Sequence, residues 1–125
     1  MSKLFFAAAM VLCFAAAPAL AEGDAAKGAQ VFKKCMACHT ADAATNKTGP
    51  YLKGVYGRKA ATAEGYKYSD DLLALGASGI VWDDVNLDKY IINPKIMAPK
   101  GKMAFPGLKK PDERADLIAW LKTKM

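Results

Sequence analysis

The chain has 125 residues, 53% of them hydrophobic, with 18 basic side chains against 12 acidic and a formal charge of +6. That length suits one small domain with a modest core. The positive balance suits an acidic partner, and no nucleic-acid recognition motif accompanies it, so nucleic acid is not an expected ligand.

Met1-Ser2-Lys3 is a short basic start, Leu4 to Ala17 is almost purely apolar, and Ala19-Leu20-Ala21 is an A-x-A site. The three parts together predict a secretory signal peptide over 1–21, cleaved after Ala21. The apolar run is shorter than the roughly 20 residues a membrane-spanning helix needs. Residues 22–125 then form the mature domain. Cleavage removes Lys3 and no acid, leaving 17 basic residues against 12 acidic. It also removes Cys13, so the exported protein keeps only Cys35 and Cys38, with His39 as its one histidine.

Gly23-Asp24 opens the first expected helix, with Asp24 as N-cap. Gly28, Val31, Phe32 and Cys35 recur at helical offsets and share one face, so this helix carries the first thiol at its end. The segment that follows, Cys35-Met36-Ala37-Cys38-His39, has the spacing of a c-type haem attachment site. Each thiol adds across one porphyrin vinyl group, and the adjoining imidazole can bind the iron from the same side. Thr40 to Lys59 is rich in glycine and turn residues and reads as a loop. A loop of that length is acceptable where it wraps a cofactor, with Pro50, Tyr51, Leu52, Val55 and Tyr56 as its apolar contacts.

A short helix is expected after Ser69-Asp70, stopped by Gly76. Another follows Trp82 with Asp83 as cap and Asn93-Pro94 as its end, burying Val85, Tyr90 and Ile91. Lys95 to Lys110 shows no helical pattern and holds Met97 and Met103. The final helix starts near Pro111, with Asp112 and Glu113 on its positive end and Leu117, Ile118, Trp120 and Leu121 as its apolar residues. No segment alternates with period two. The expected fold is all-α, with short helices and long loops around one bound group.

Zinc and a redox dithiol compete with haem for the cysteine pair. Structural zinc takes four Cys or His ligands, and the mature chain has three. A thioredoxin-like dithiol belongs beside a βαβ pattern, and no strands are expected. Covalent haem uses the histidine and fits the export signal. The iron's other ligand then decides function. No second histidine exists, Met36 lies inside the attachment motif and Met125 is terminal. Met103, in a glycine- and proline-bounded loop beside Phe105, is the expected ligand, with Met97 the alternative. Methionine is a soft ligand that raises the potential and closes the site for electron transfer. An open sixth position would instead suit a haem enzyme or gas sensor.

The ordered set of residues resembles class I cytochrome c, of the soluble bacterial kind closest to mitochondrial cytochrome c. The stretches that carry the resemblance are Gly28 with Phe32 and Cys35–His39; Thr48-Gly49-Pro50; Tyr56-Gly57-Arg58-Lys59; Gly65-Tyr66-Lys67-Tyr68; Trp82; Tyr90 with Asn93-Pro94-Lys95; Lys102-Met103-Ala104-Phe105; and Arg114–Lys122. The resemblance implies one haem c on Cys35 and Cys38, His39 and Met103 as iron ligands, and a periplasmic one-electron carrier rather than an enzyme. It implies that the Pro50 carbonyl orients His39, that Arg58, Tyr68 and Trp82 face the haem propionates, and that Tyr90 lies near the Met103 sulfur. Phe105 is expected to cover the haem edge. Gly28, Phe32 and Trp120 match the crossing of the first and last helices. Two positions depart from the family pattern: Gly101 stands where a threonine is usual and Leu72 where an asparagine is common. The lost polar groups predict a looser methionine loop. Lys34, Lys47, Lys95, Lys102, Lys109 and Lys110 are expected to ring the haem edge and dock a monomeric protein on acidic faces of redox partners.

Overall fold

The computed structural model of the chain describes residues 8–12 and 22–125. The expected leader therefore lies outside the described residues except for 8–12, which have no regular structure and leave Met10, Val11 and Leu12 exposed. No helix among the described residues is long and apolar enough to cross a membrane.

Helix α1 (Ala25–Val31) starts where Asp24 caps it, the carboxylate accepting from the Ala26 and Lys27 N–H groups at 2.8 and 3.2 Å. It tightens into a 3-10 turn, Phe32–Lys34, that delivers the chain to Cys35. Helix α2 (Asp70–Ala77) is capped by Ser69, whose hydroxyl accepts from Leu72 N–H. It runs past Gly76, which packs inside the helix against the Ala60 carbonyl; Gly79, at φ +88°, makes the turn that follows. Helix α3 (Asp84–Ile92) is capped by Asp83 as expected. The same Asn93 that ends α3 accepts from Lys95 N–H and opens a short helix α4 (Pro94–Met97), which the sequence pattern did not foretell. Helix α5 (Pro111–Leu121) carries proline in its first turn beside Asp112 and Glu113. No strand occurs among the described residues; Lys59 and Val81 form one isolated antiparallel bridge.

Helices α1 and α5 cross at Gly28, where a Cβ would overlap the Asp116 carbonyl oxygen and lie 2.7 Å from Trp120 Cβ. Only glycine allows that approach. The Phe32 and Trp120 rings then pack with centroids 4.4 Å apart. Asp116 also accepts from Asp24 N–H at 2.8 Å, fastening the start of α1. Val31, Phe32, Leu117, Ile118 and Leu121 are buried at this junction, each aliphatic side chain contributing about 1.5–3 kcal/mol.

Helix α3 buries Leu87 and Ile91 and not Val85, which is 49% exposed. Leu87, Tyr90 and Ile91 share a face at offsets of three and four, and Val85, two residues before Leu87, points away from it.

Candidate functional site

Cys35 heads a tight turn in which the Cys38 and His39 N–H groups both donate to its carbonyl oxygen, at 3.2 and 2.9 Å. The turn leaves Cys38 exposed and Cys35 partly buried, and swings His39 inward to 9% exposure. As a free thiol, Cys35 is pushed up to about 11 by burial, with Lys34 opposing and Cys38 adding to the rise. Lys47 Nζ donates to the Met36 carbonyl oxygen at 2.7 Å and braces the turn from outside.

The imidazole is held on two sides. His39 Nδ1 lies 2.7 Å from the Pro50 carbonyl oxygen. A carbonyl only accepts, so Nδ1 carries the hydrogen and Nε2 keeps its lone pair. Gly49 backs the ring so closely that a Cβ would overlap Cε1 and sit 2.8 Å from Nδ1. Burial lowers the His39 pKa, the Pro50 hydrogen bond opposes that and Lys47 adds to it. The neutral form, with Nε2 free, is the form that ligates a metal.

His39 opens onto an apolar cavity of about 970 Å³, counting its mouth. Cys35, Pro50, Leu52, Val55 and Arg58 line it from the attachment segment and the loop after it; Tyr66, Tyr68, Leu72 and Trp82 follow. Leu87, Tyr90 and Ile91 come from α3, Met103, Phe105 and Leu108 from the methionine loop, and Leu117 and Leu121 from α5. Of the residues that the resemblance assigns to haem or iron, Cys35, His39, Pro50, Arg58, Tyr68, Trp82, Tyr90, Met103 and Phe105 line this cavity, and Cys38 is exposed. Met97 is absent from the lining and Met103 is present. Of the apolar loop residues expected to contact the haem, Tyr51 and Tyr56 do not line the cavity. Tyr51 stacks under the Arg58 guanidinium and Tyr56 lies under Lys122, each 5.0 Å from the cation.

The cavity's polar atoms are few and placed. Arg58 donates through Nη2 to the Tyr51 carbonyl at 3.0 Å, yet its buried Nε has no partner. A buried N–H left unpaired costs stability, and a haem propionate is the acceptor that would satisfy it. An apolar slot, a thiol pair at its edge, a poised imidazole and an unsatisfied cationic donor fit a covalent haem. The Tyr68 hydroxyl accepts from Ala63 N–H at 2.9 Å, and burial raises its pKa. Tyr90 packs 5.0 Å from Trp82, ring to ring, and is pushed up to about 12, chiefly by burial. Tyr66, which belongs to a matching stretch but has no role implied from the sequence, also lines the cavity. Its ring packs edge-on to that of Tyr68, with centroids 4.8 Å apart. Its hydroxyl donates to the Thr48 carbonyl at 2.9 Å, joining this segment to the loop behind His39.

The methionine loop carries several hydrogen bonds to its surroundings. Lys100 N–H donates to Asp71 Oδ2 at 2.6 Å, Gly101 N–H to the Ala98 carbonyl at 2.9 Å, and Lys102 Nζ to the Lys67 carbonyl at 2.9 Å. Lys95 Nζ bonds the Gly101 carbonyl. Gly101 and Leu72, the two departures from the family pattern, are neighbours: a Cβ on Gly101 would lie 3.7 Å from the Leu72 side chain. Among the lysines expected to ring the haem edge, Lys102 lines the cavity, Lys34 pairs with Glu113 at 3.5 Å, and Lys109 Nζ donates to the Ile92 carbonyl. Lys110 is the N-cap residue of α5.

The cytochrome c family pattern matches residues 25–124. The chain belongs to the cytochrome c family. Cytochrome c-554 of Methylosinus trichosporium is 44% identical over 121 residues, covering 96% of this chain and 89% of that protein. Cytochrome c2 of Rhodomicrobium vannielii is 48% identical over 109 residues, covering 86% and 85%. Among solved structures, cytochrome cH from Methylobacterium extorquens superposes with a TM-score of 0.74 at 46% identity, covering 82% of this chain and all of that one. Membership makes the protein a class I cytochrome c by fold and an electron carrier by function. It carries one covalently attached haem c, for which Cys35 and Cys38 have the attachment spacing.

Proposed function

We propose that the protein is a soluble periplasmic one-electron carrier, exported through residues 1–21, with a closed iron site formed by His39 and Met103. One observation carries this reading. His39 and Met103 line the same apolar cavity, whereas Met97 lies outside it and Met36 and Met125 are 52% and 68% exposed. A bound haem c supplies one chemistry, the gain and loss of a single electron at its iron. The residues decide how readily that happens. The Pro50 carbonyl and Gly49 fix the His39 ring, so the ligand does not reorient between oxidation states. The leucines, Val55 and Phe105 keep water out, which disfavours the more highly charged ferric form. Arg58 offers Nε to a propionate and offsets its charge.

Lys47 braces the attachment turn and Lys102 lies in the methionine loop, and we infer that with Lys34, Lys95, Lys109 and Lys110 they make a positive face. We assign that face to docking on acidic redox proteins, as a monomer, with fast and salt-sensitive encounter. Carbon monoxide added to the reduced protein at neutral pH tests the closed site. A spectrum unchanged by the gas is the expected result; ready binding would mean an open sixth position and a sensor or enzyme instead.

A further inference from the structure

The buried polar or charged residues among the described residues are His39 and Arg114. His39 faces the haem cavity. Arg114, on the first turns of α5 and only 6% exposed, has no role in attachment or ligation. Its guanidinium makes three bonds to two different parts of the fold. Nε donates to Asp88 Oδ1 on α3 at 2.7 Å. Nη1 donates to the Leu108 and Lys109 carbonyl oxygens at 3.0 and 3.1 Å.

Those carbonyls belong to the stem by which the methionine loop returns to α5. The stem is also sewn to the end of α3, through Leu108 N–H to the Ile91 carbonyl at 2.8 Å and Lys109 Nζ to the Ile92 carbonyl at 2.8 Å. Leu108 itself lines the cavity, as do Phe105 and Met103 a few residues earlier. The other end of the loop is tied to α2 and α4 by Lys100 and Gly101. A loop pinned at both ends has few conformations in which its side chain can leave, so the entropy gained on release is small.

We propose that Arg114 is a positioning residue for Met103: with Asp88 it clamps the returning stem of the methionine loop and so sets how firmly the sulfur holds the iron. This rests on Met103 being the ligand. A planar fork is needed for the task. Lysine in its place can keep a charge near Asp88 but cannot hold Asp88 and two carbonyls at once. Arg114→Lys therefore isolates the clamp from the charge.

The test is an imidazole titration of ferric holoprotein, wild type against Arg114→Lys, with Val31→Ala as a control for general destabilisation. Val31 is buried in the core and is absent from the cavity lining. Arg114→Lys is expected to take up imidazole with about tenfold higher affinity and to weaken the red Fe–S absorbance band, whereas Val31→Ala changes neither. Unchanged imidazole affinity in Arg114→Lys, or an equal gain in Val31→Ala, overturns the proposal. If Arg114→Lys yields no folded holoprotein, Asp88→Asn is titrated instead. It keeps the guanidinium and removes the charge that anchors it; a rise in affinity supports the clamp and no rise overturns it. Met103→Ala separates the two levels of the argument. If its imidazole affinity equals the wild type's, the ligand assignment itself fails, and the role of Arg114 falls with it.

Discussion

The Nδ1 of His39 lies 2.7 Å from the carbonyl oxygen of Pro50, which accepts its hydrogen. Gly49 makes the approach possible because the ring occupies the space where its Cβ would be. Gly49→Ala should therefore push the imidazole off its partner. A loss of about 1–3 kcal/mol is expected, the usual cost of forcing a methyl group into a packed site. Denaturant unfolding of the holoprotein measures it; an unchanged midpoint would mean the ring has room that the packing does not indicate.

Arg58 is expected to tune the potential. Its buried Nε has no partner and the residue lines the cavity, so its cation would act on a haem held there. A positive charge there favours the ferrous state, so Arg58→Gln should lower the midpoint potential by some tens of millivolts. A redox titration decides it: an unchanged potential would show that the guanidinium acts on neither iron nor propionate, and a rise would contradict the expected sign.

The α1–α5 crossing depends on Gly28. Gly28→Ala places a methyl group against the Asp116 carbonyl and Trp120 Cβ, backbone and packed side chain that cannot step aside. Stability should fall by at least about 1 kcal/mol while the visible spectrum of the folded protein is retained. A stable variant with an altered spectrum would place the crossing in control of the haem instead.

Charge reversal should not affect all the lysines of the proposed docking face equally. Lys34 already faces Glu113 at 3.5 Å, so part of its field is cancelled, whereas Lys102 lines the cavity and bonds only a carbonyl. Lys102→Glu should slow reduction by an acidic redox partner more than Lys34→Glu, and should flatten the salt dependence further. Stopped-flow rates over a range of ionic strength check the order; equal effects would place the docking face elsewhere.

Local chemistry was the legible part of this fold. Asp24, Ser69, Asp83 and Pro111 announce helix starts because a cap acts within three residues of itself. The attachment motif is contiguous, so its meaning survives without tertiary structure. What escaped the sequence depends on contacts far along the chain. Arg114 looks like a surface residue of α5 until Asp88 and the stem carbonyls surround it. Pro94 was read as the end of α3; it is also the first residue of α4, because proline suits that position. Leu72 and Gly101 read as lost polar contacts; their segments are also tied by Asp71, Lys95 and Lys102 through backbone groups that no pattern of side chains reveals.

The choice between Met103 and Met97 is where the account is most exposed. The red Fe–S absorbance band of the ferric protein should disappear in Met103→Ala and persist in Met97→Ala, because Met103 lines the cavity and Met97 does not. A band that survives loss of Met103, or vanishes with Met97, would contradict the closed His39–Met103 site.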